Sequence, residues 1–386
     1  MLKAKEFDIV ASSSEEEQCQ VGTETRKTNE QEQDAGTDEE REERRVQNAY
    51  ADIKRCEMVC QVVMRIFQIS ATLAMAVGLG GCCLHQPSHA GKTYCVIDLT
   101  RTSNDGTYFM SWLNDVPEGG WKLEHQTRML VLRRIPPGRF KFLGKYDVEI
   151  TRPFYIGVFE FTCAQYELLT GKSVDSFVAT RLTEDQPLWD MKWNEVCGKN
   201  VQISKDGVSV GVDGFAIPKE NSLMGKLSQK TGRRFSLPTE AQWEYACRAG
   251  VDTAFNIGRI GEDDCEAMRL CAYNRFNPKY KIRNHYPVIH VGAYLPNRWG
   301  LYDMHGSLEE MCLDEFANED DLSATFGMGA ADPCFNRGLK CPGEYVTKGG
   351  GWNSRPFECT MTSRNVRMED SPEWDVGFRV VMEACD

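Results

Sequence analysis

Histidine is scarce: the chain has six in 386 residues, and His285 and His290 do not stand in H-x-x-x-H spacing. A histidine-based metal centre is therefore not expected. No pair of cysteines follows C-x-x-C, which removes the usual zinc signature. Basic residues are outnumbered, 45 Lys and Arg against 57 Asp and Glu, for a formal charge of -12. Such a chain lacks the clustered cations that neutralise phosphates, so nucleic acid is excluded as a partner. Long apolar runs are almost absent. Yet 41% hydrophobic and 10% aromatic residues are ample for a sizeable core.

The acidity is uneven. From Glu15 to Arg45 the chain has almost no large apolar side chain, so it cannot offset its ordering entropy. Residues 1–63 are read as a disordered polar segment that either is not translated or forms a cytoplasmic tail. The one strongly apolar run is MRIFQISATLAMAVGLGGCC, Met64 to Cys83, whose uncharged part Ile66 to Gly81 spans 16 residues. That is short for a bilayer-spanning helix and closer to the apolar region of a signal peptide. Leu79-Gly80-Gly81-Cys82 resembles the lipobox of bacterial lipoproteins, which implies lipidation at Cys82 and an extracytoplasmic, membrane-anchored domain at the cell envelope. An uncleaved anchor over 64–82 is the alternative, and 83–127 is read as a linker and N-terminal extension.

Of 16 cysteines, 11 lie beyond Cys83, an odd number. Cys334 and Cys341 stand far enough apart to close a small surface loop as a disulfide, the alternative being buried thiols.

Globular patterning begins near Thr127. MLVLRRIPPGRFKFLG reads as two strands around a Pro-Pro-Gly turn, and VEITRPFYIGVFEFT alternates as half-buried strands do. CAQYELLTG, Cys163 to Gly171, has helical spacing and a glycine stop. A second helix follows RFSLP, with Thr239 as N-cap, Trp243 and Ala246 on one face, and Gly250 as its stop.

Six blocks then occur in order: RIPPGRF, PFYIGVFEFTCAQYELL, QPLWDMKWNEV, RRFSLPTEAQWEYACRAG, LPNRWGLYDMHGSLEEMCLDEF and VTKGGGWNSRPFECTMTSRNVRMEDSPEWDVGFRVV. Together they resemble the formylglycine-generating enzyme or sulfatase-modifying factor domain, over residues 128–383. The resemblance implies one compact α+β domain with little regular secondary structure, a variant of the C-type lectin fold.

In the enzymes of that family two cysteines, five apart after a K-G-G-S-[YW] segment, bind copper(I) and oxidise a substrate cysteine to formylglycine. Here Lys348-Gly349-Gly350-Gly351-Trp352 is followed by Ser354 at the first cysteine position and Cys359 at the second. A hydroxyl cannot replace a thiolate on copper(I), so a copper site is not expected. The family's calcium motif falls on Asp303, Gly306, Leu308 and Glu310, two carboxylates and two intervening carbonyls of the kind calcium prefers. Its aromatic neighbours are here Glu309 and Met311. Of a second calcium site only Asn274 lines up, with Arg283 near the expected acid. The H-x-x-x-H-x-E set of the family's iron enzymes is absent.

Three functions compete. One is an exported, lipid-anchored binding or accessory domain without oxidase activity, its partner an envelope protein or glycan, a sulfatase among the candidates. Another is a copper-dependent oxidase acting on sulfatase cysteines. The third is a nucleophilic enzyme using Ser354 or Cys359, for which His305 is the only histidine within a family block.

Overall fold

The first strand is buried on both faces over its first half. In Tyr94–Thr102 the side chains of Tyr94 through Ile97 and of Leu99 are buried, and the strand pairs with Tyr108–Leu113 on one side and Met129–Ile135 on the other. The computed structural model describes residues 91–174, 183–197, 218–256, 272–273, 282–283, 286–287, 289–326, 329–335 and 343–384. Cys82, the segments 1–63 and 64–82, Asn274 and Cys341 lie outside them.

The stretch expected to link the N-terminus to the domain thus supplies two strands of a six-stranded sheet. Its order is Tyr108–Leu113, Tyr94–Thr102, Met129–Ile135, Phe154–Gly157, Val381–Glu383 and Phe235–Ser236. A four-stranded sheet runs Arg364–Met368, Glu344–Lys348, Glu309–Glu315 and Val376–Gly377. One apolar cluster joins Ile97, Leu132, Tyr155 and Met382 of the larger sheet to Met311, Tyr345 and Val376 of the smaller. The α+β class and the sparse helices are as expected.

Both helices read from the sequence form. Cys163–Thr170 starts at Thr162, whose Oγ1 accepts the Gln165 N–H while Gln165 Oε1 accepts the Thr162 N–H at 3.0 Å. Gly171 ends it at φ 69°. Glu240–Arg248 is capped by Thr239 as expected, but its stop is Ala249, left-handed at φ 47°, one residue ahead of Gly250. The C-terminal segment divides between the two sheets. Val376–Gly377 joins the small sheet and Val381–Glu383 the large one, so Phe378 and Arg379 bridge the two from fully buried positions.

Removing residues 91–127 would strip Tyr94, Cys95, Val96, Ile97, Leu99 and Tyr108 from the core and bare the Met129–Ile135 strand edge. At about 1.5–3 kcal/mol per large apolar side chain, that loss rivals the net stability of a domain. A chain starting at residue 128 is expected to aggregate or lose cooperative melting; a soluble product with unchanged Tm would contradict this architecture.

Candidate functional site

The segment that carries the family's chemistry leaves the strand Glu344–Lys348 at a buried ion cluster. Lys348 Nζ lies 3.1 Å from Glu244 and 3.6 Å from Glu240, both on the Glu240–Arg248 helix. The chain then turns through Gly349 at φ 87° and Gly350 at φ 68°. These glycines are needed twice over. A Cβ on Gly349 would stand 3.1 Å from the Trp243 ring, and one on Gly350 would stand 2.7 Å from Cys359 Sγ.

Ser354 closes the following turn. Its Oγ accepts the Gly351 N–H at 3.0 Å, and its own N–H donates to the Gly351 carbonyl at 3.0 Å. Cys359 ends the 3-10 turn Pro356–Cys359 and is fully buried, its sulfur packed on Gly350. The structure thus brings Ser354 and Cys359 into one turn system in which the hydroxyl serves the backbone and the thiol faces the interior.

His305 lies against the same turn. Its Nδ1 is 2.7 Å from the Cys359 carbonyl, and its Nε2 is 3.1 Å from the Asn256 N–H. The first partner only accepts and the second only donates, so the ring is the neutral Nδ1–H tautomer. Burial pushes its pKa down to about 4, against a smaller upward pull from the Cys359 carbonyl. With both nitrogens occupied, and Cys247 Sγ only 3.8 Å from Nε2, the imidazole is placed as a structural pin between chain segments. It has no nitrogen free to activate Ser354 or Cys359.

The calcium motif converges on a cation that belongs to the chain. Glu310 accepts Arg379 Nε and Nη2 at 2.5 Å each, and Trp243 Nε1 at 2.7 Å. All three residues are essentially inaccessible to solvent. Asp303, at φ 57°, accepts the Gly292 N–H. Glu160, which the sequence did not single out, accepts Ser307 Oγ at 2.7 Å and the Leu308 N–H at 3.0 Å. Burial first, then the charge of Asp303, holds Glu160 well above the usual carboxylate range, and burial lifts Asp303 to about 7. Asp303, Gly306, Leu308 and Glu310 are therefore neighbours as the motif requires. Yet both Glu310 oxygens are committed to Arg379 and Trp243, so this donor set does not fit a calcium ion. A guanidinium fills the cationic position instead.

Glu309 points the other way along the same strand. Its buried carboxylate accepts Thr347 Oγ1 at 2.7 Å and Asn365 Nδ2 and Arg367 Nη2 at 2.8 Å each. An aromatic position of the family has become the polar tie that holds the edge strand Arg364–Met368. Cys334 is a buried free thiol, and Cys341, its expected disulfide partner, lies outside the described residues. Among the described residues no three His, Cys, Asp or Glu side chains gather as a metal site.

Two outcomes test these contacts. Gly350→Ala is expected to cost about 1–3 kcal/mol, read by urea unfolding, because the new methyl must displace Cys359 or the Glu358 carbonyl; an unchanged midpoint would disprove the close packing. His305 should stay neutral between pH 8 and 5 by NMR. Because its folded pKa lies below the unfolded value near 6.5, its contribution to stability is full above about 6.5 and is lost as pH falls toward 4. A ring titrating near 6.5 would show that it is not pinned.

Comparison with known proteins follows the geometry. The family described as the sulfatase-modifying factor enzyme 1-like domain matches residues 123–384. The formylglycine-generating enzyme of Thermomonospora curvata is 29% identical over 163 residues, 37% of this chain and 48% of that one. That of Mycobacterium tuberculosis is 29% identical over 168 residues, 39% of this chain and 52% of that one. This chain spans about half the length of these curated relatives. Among solved structures, PvdO from Pseudomonas aeruginosa has a TM-score of 0.47 at 21% identity, covering 66% of this chain and 94% of that one. Treponema denticola variable protein 1 has a TM-score of 0.47 at 20% identity, covering 66% and 95%. With the match running from the first helix to the terminal strand, the chain belongs to the sulfatase-modifying factor family, whose members include the formylglycine-generating enzymes.

Proposed function

We propose that this chain is a non-oxidase member of its family: a binding or accessory domain, exported and anchored to the envelope through lipid on Cys82. The observation that carries the reading is the Ser354–Cys359 turn. Two opposed thiolates are what copper(I) requires. Here one position holds a hydroxyl bonded to Gly351, and the other a thiol sealed under Gly350. Neither offers a ligand to a metal at the surface.

The pairing of Arg379 with Glu310 supports a domain that needs no calcium to hold its shape, because the Glu310 carboxylate already has a cationic partner. Export is supported by the lipobox-like LGGC. The partner is a protein at the envelope, a sulfatase being one candidate.

The deciding experiment is a copper(I) titration of the purified chain beside its Cys359→Ser variant, followed by incubation with a cysteine-bearing sulfatase-motif peptide under oxygen. The expected result is no stoichiometric copper that depends on Cys359 and no aldehyde on the peptide. Tight copper lost in the variant, together with peptide aldehyde, would establish the oxidase in place of this reading.

A further inference from the structure

The strand Arg364–Met368 is followed by MEDSPEWD, in which residues 369–375 hold four carboxylates, Glu369, Asp370, Glu373 and Asp375, around a single aromatic, Trp374. Trp374 is 52% exposed, unusual for the largest side chain in a molecule that buries Trp243 completely. It is not loose. Its ring meets the buried Trp352 at 5.6 Å and 90°, the edge-to-face geometry that fixes aromatic pairs.

The charge beside it is only partly balanced. Arg367 reaches Asp375 at 3.8 Å but sits closer, at 2.8 Å, to Glu309. Among the described residues no lysine or arginine pairs with Asp370 or Glu373. Asp370 accepts instead from Asn194 Nδ2 at 2.9 Å. A phosphate, a sulfated sugar or an acidic peptide would be repelled here.

Buried polar atoms point the same way. Tyr345, 3% exposed, is the cross-strand partner of Arg367, and its hydroxyl lies within electrostatic reach of Arg367, Glu373 and Glu309. Among the described residues neither that Oη nor Oδ1 of Asn194 has a hydrogen-bond partner. Buried polar atoms left unpaired in a native fold call for a ligand or water that completes them. The Asn194 oxygen can only accept, so it lacks a donor, while the Tyr345 hydroxyl can either donate or accept.

We propose that the Trp374 loop is a docking site for a basic side chain, lysine or arginine, of a partner protein. The cation stacks on the exposed indole face, and Asp370 and Glu373 supply the counter-charge. The inference rests on the binding-domain reading and gives it a place and a charge. It lies on the face of the small sheet occupied by Glu309 and Arg367, where the family's aromatic residue has been replaced.

The test uses the purified full chain and an end-blocked tetralysine peptide, followed by tryptophan fluorescence and calorimetry at low and physiological salt. Saturable binding that weakens with salt is expected. Trp374→Ala leaves the net charge unchanged and should weaken binding about two- to fivefold, the range of an exposed cation–π contact. Asp370→Asn with Glu373→Gln should weaken it further, with Tm unaltered in both variants. Equal affinity in Trp374→Ala would overturn the proposal, since the attraction would then be the general pull of an acidic chain. Saturation by methyl glucoside instead of the peptide would overturn it in favour of a neutral sugar site. Aldehyde formation in the copper assay bears on the accessory-domain reading and leaves this titration unaffected, so the two failures are distinguishable.

Discussion

Arg379 holds both carboxylate oxygens of Glu310 from a position with no solvent exposure, and Trp243 adds a third donor to the same group. The pair is isolated from water, so neither partner can be lost without leaving a charge in the interior, at a cost on the order of 3–5 kcal/mol. Its reach is what gives it importance. Arg379 also donates to the carbonyls of Gly157 and Tyr302, tying a strand of the large sheet to the turn around Asp303. Glu310 sits in the small sheet, and Trp243 comes from the helix that flanks it. One ion pair thereby sets the distance between two sheets, a helix and the Asp303 turn, and the glycine turn at 349–350 is shaped by the same Trp243 ring.

From this frame the chemistry of the neighbouring turn follows. A catalytic thiol has to be reachable and to ionise, and both need solvent or a nearby cation. Cys359 is instead pressed onto Gly350, while the one adjoining histidine is spent on the Cys359 carbonyl and the Asn256 amide. Nearby positions on the same surface carry polar and aromatic groups facing outward. The turn therefore presents neither an accessible thiol nor a free imidazole at its surface.

Much of this was legible in the residues, and what was not has physical reasons. The helix caps at Thr162 and Thr239 and the alternating strands are local features, and local pattern is enough to read them. The two N-terminal strands were read as a linker because their apolar residues are diluted by TRTSNDGT, a run that looks like a loop until its flanks pair across it. The Asp303 to Glu310 spacing pointed to a cluster of carboxylates, and both side chains are buried in the structure. It could not reveal Arg379, which arrives from 69 positions further along and takes the oxygens a metal would need. Glu160 was invisible for the same cause: an acid between two phenylalanines in a strand-like run gives no sign that its partners lie about 150 residues away. Only Ser354, whose meaning depends on the identity of one atom, could be judged from sequence alone.

The strand Val381–Glu383 is laid between Phe154–Gly157 and Phe235–Ser236, so the last residues of the chain occupy an interior lane of the main sheet. Until the ribosome has delivered them, the two flanking strands face an empty slot and Glu310 waits for Arg379. The main sheet therefore cannot close until residues 381–383 are in place, a pairing of long sequence separation and a late event in folding. Loss of residues 376–383 would therefore be far more damaging than their number suggests, since it would open both sheets and leave Glu310 without its partner.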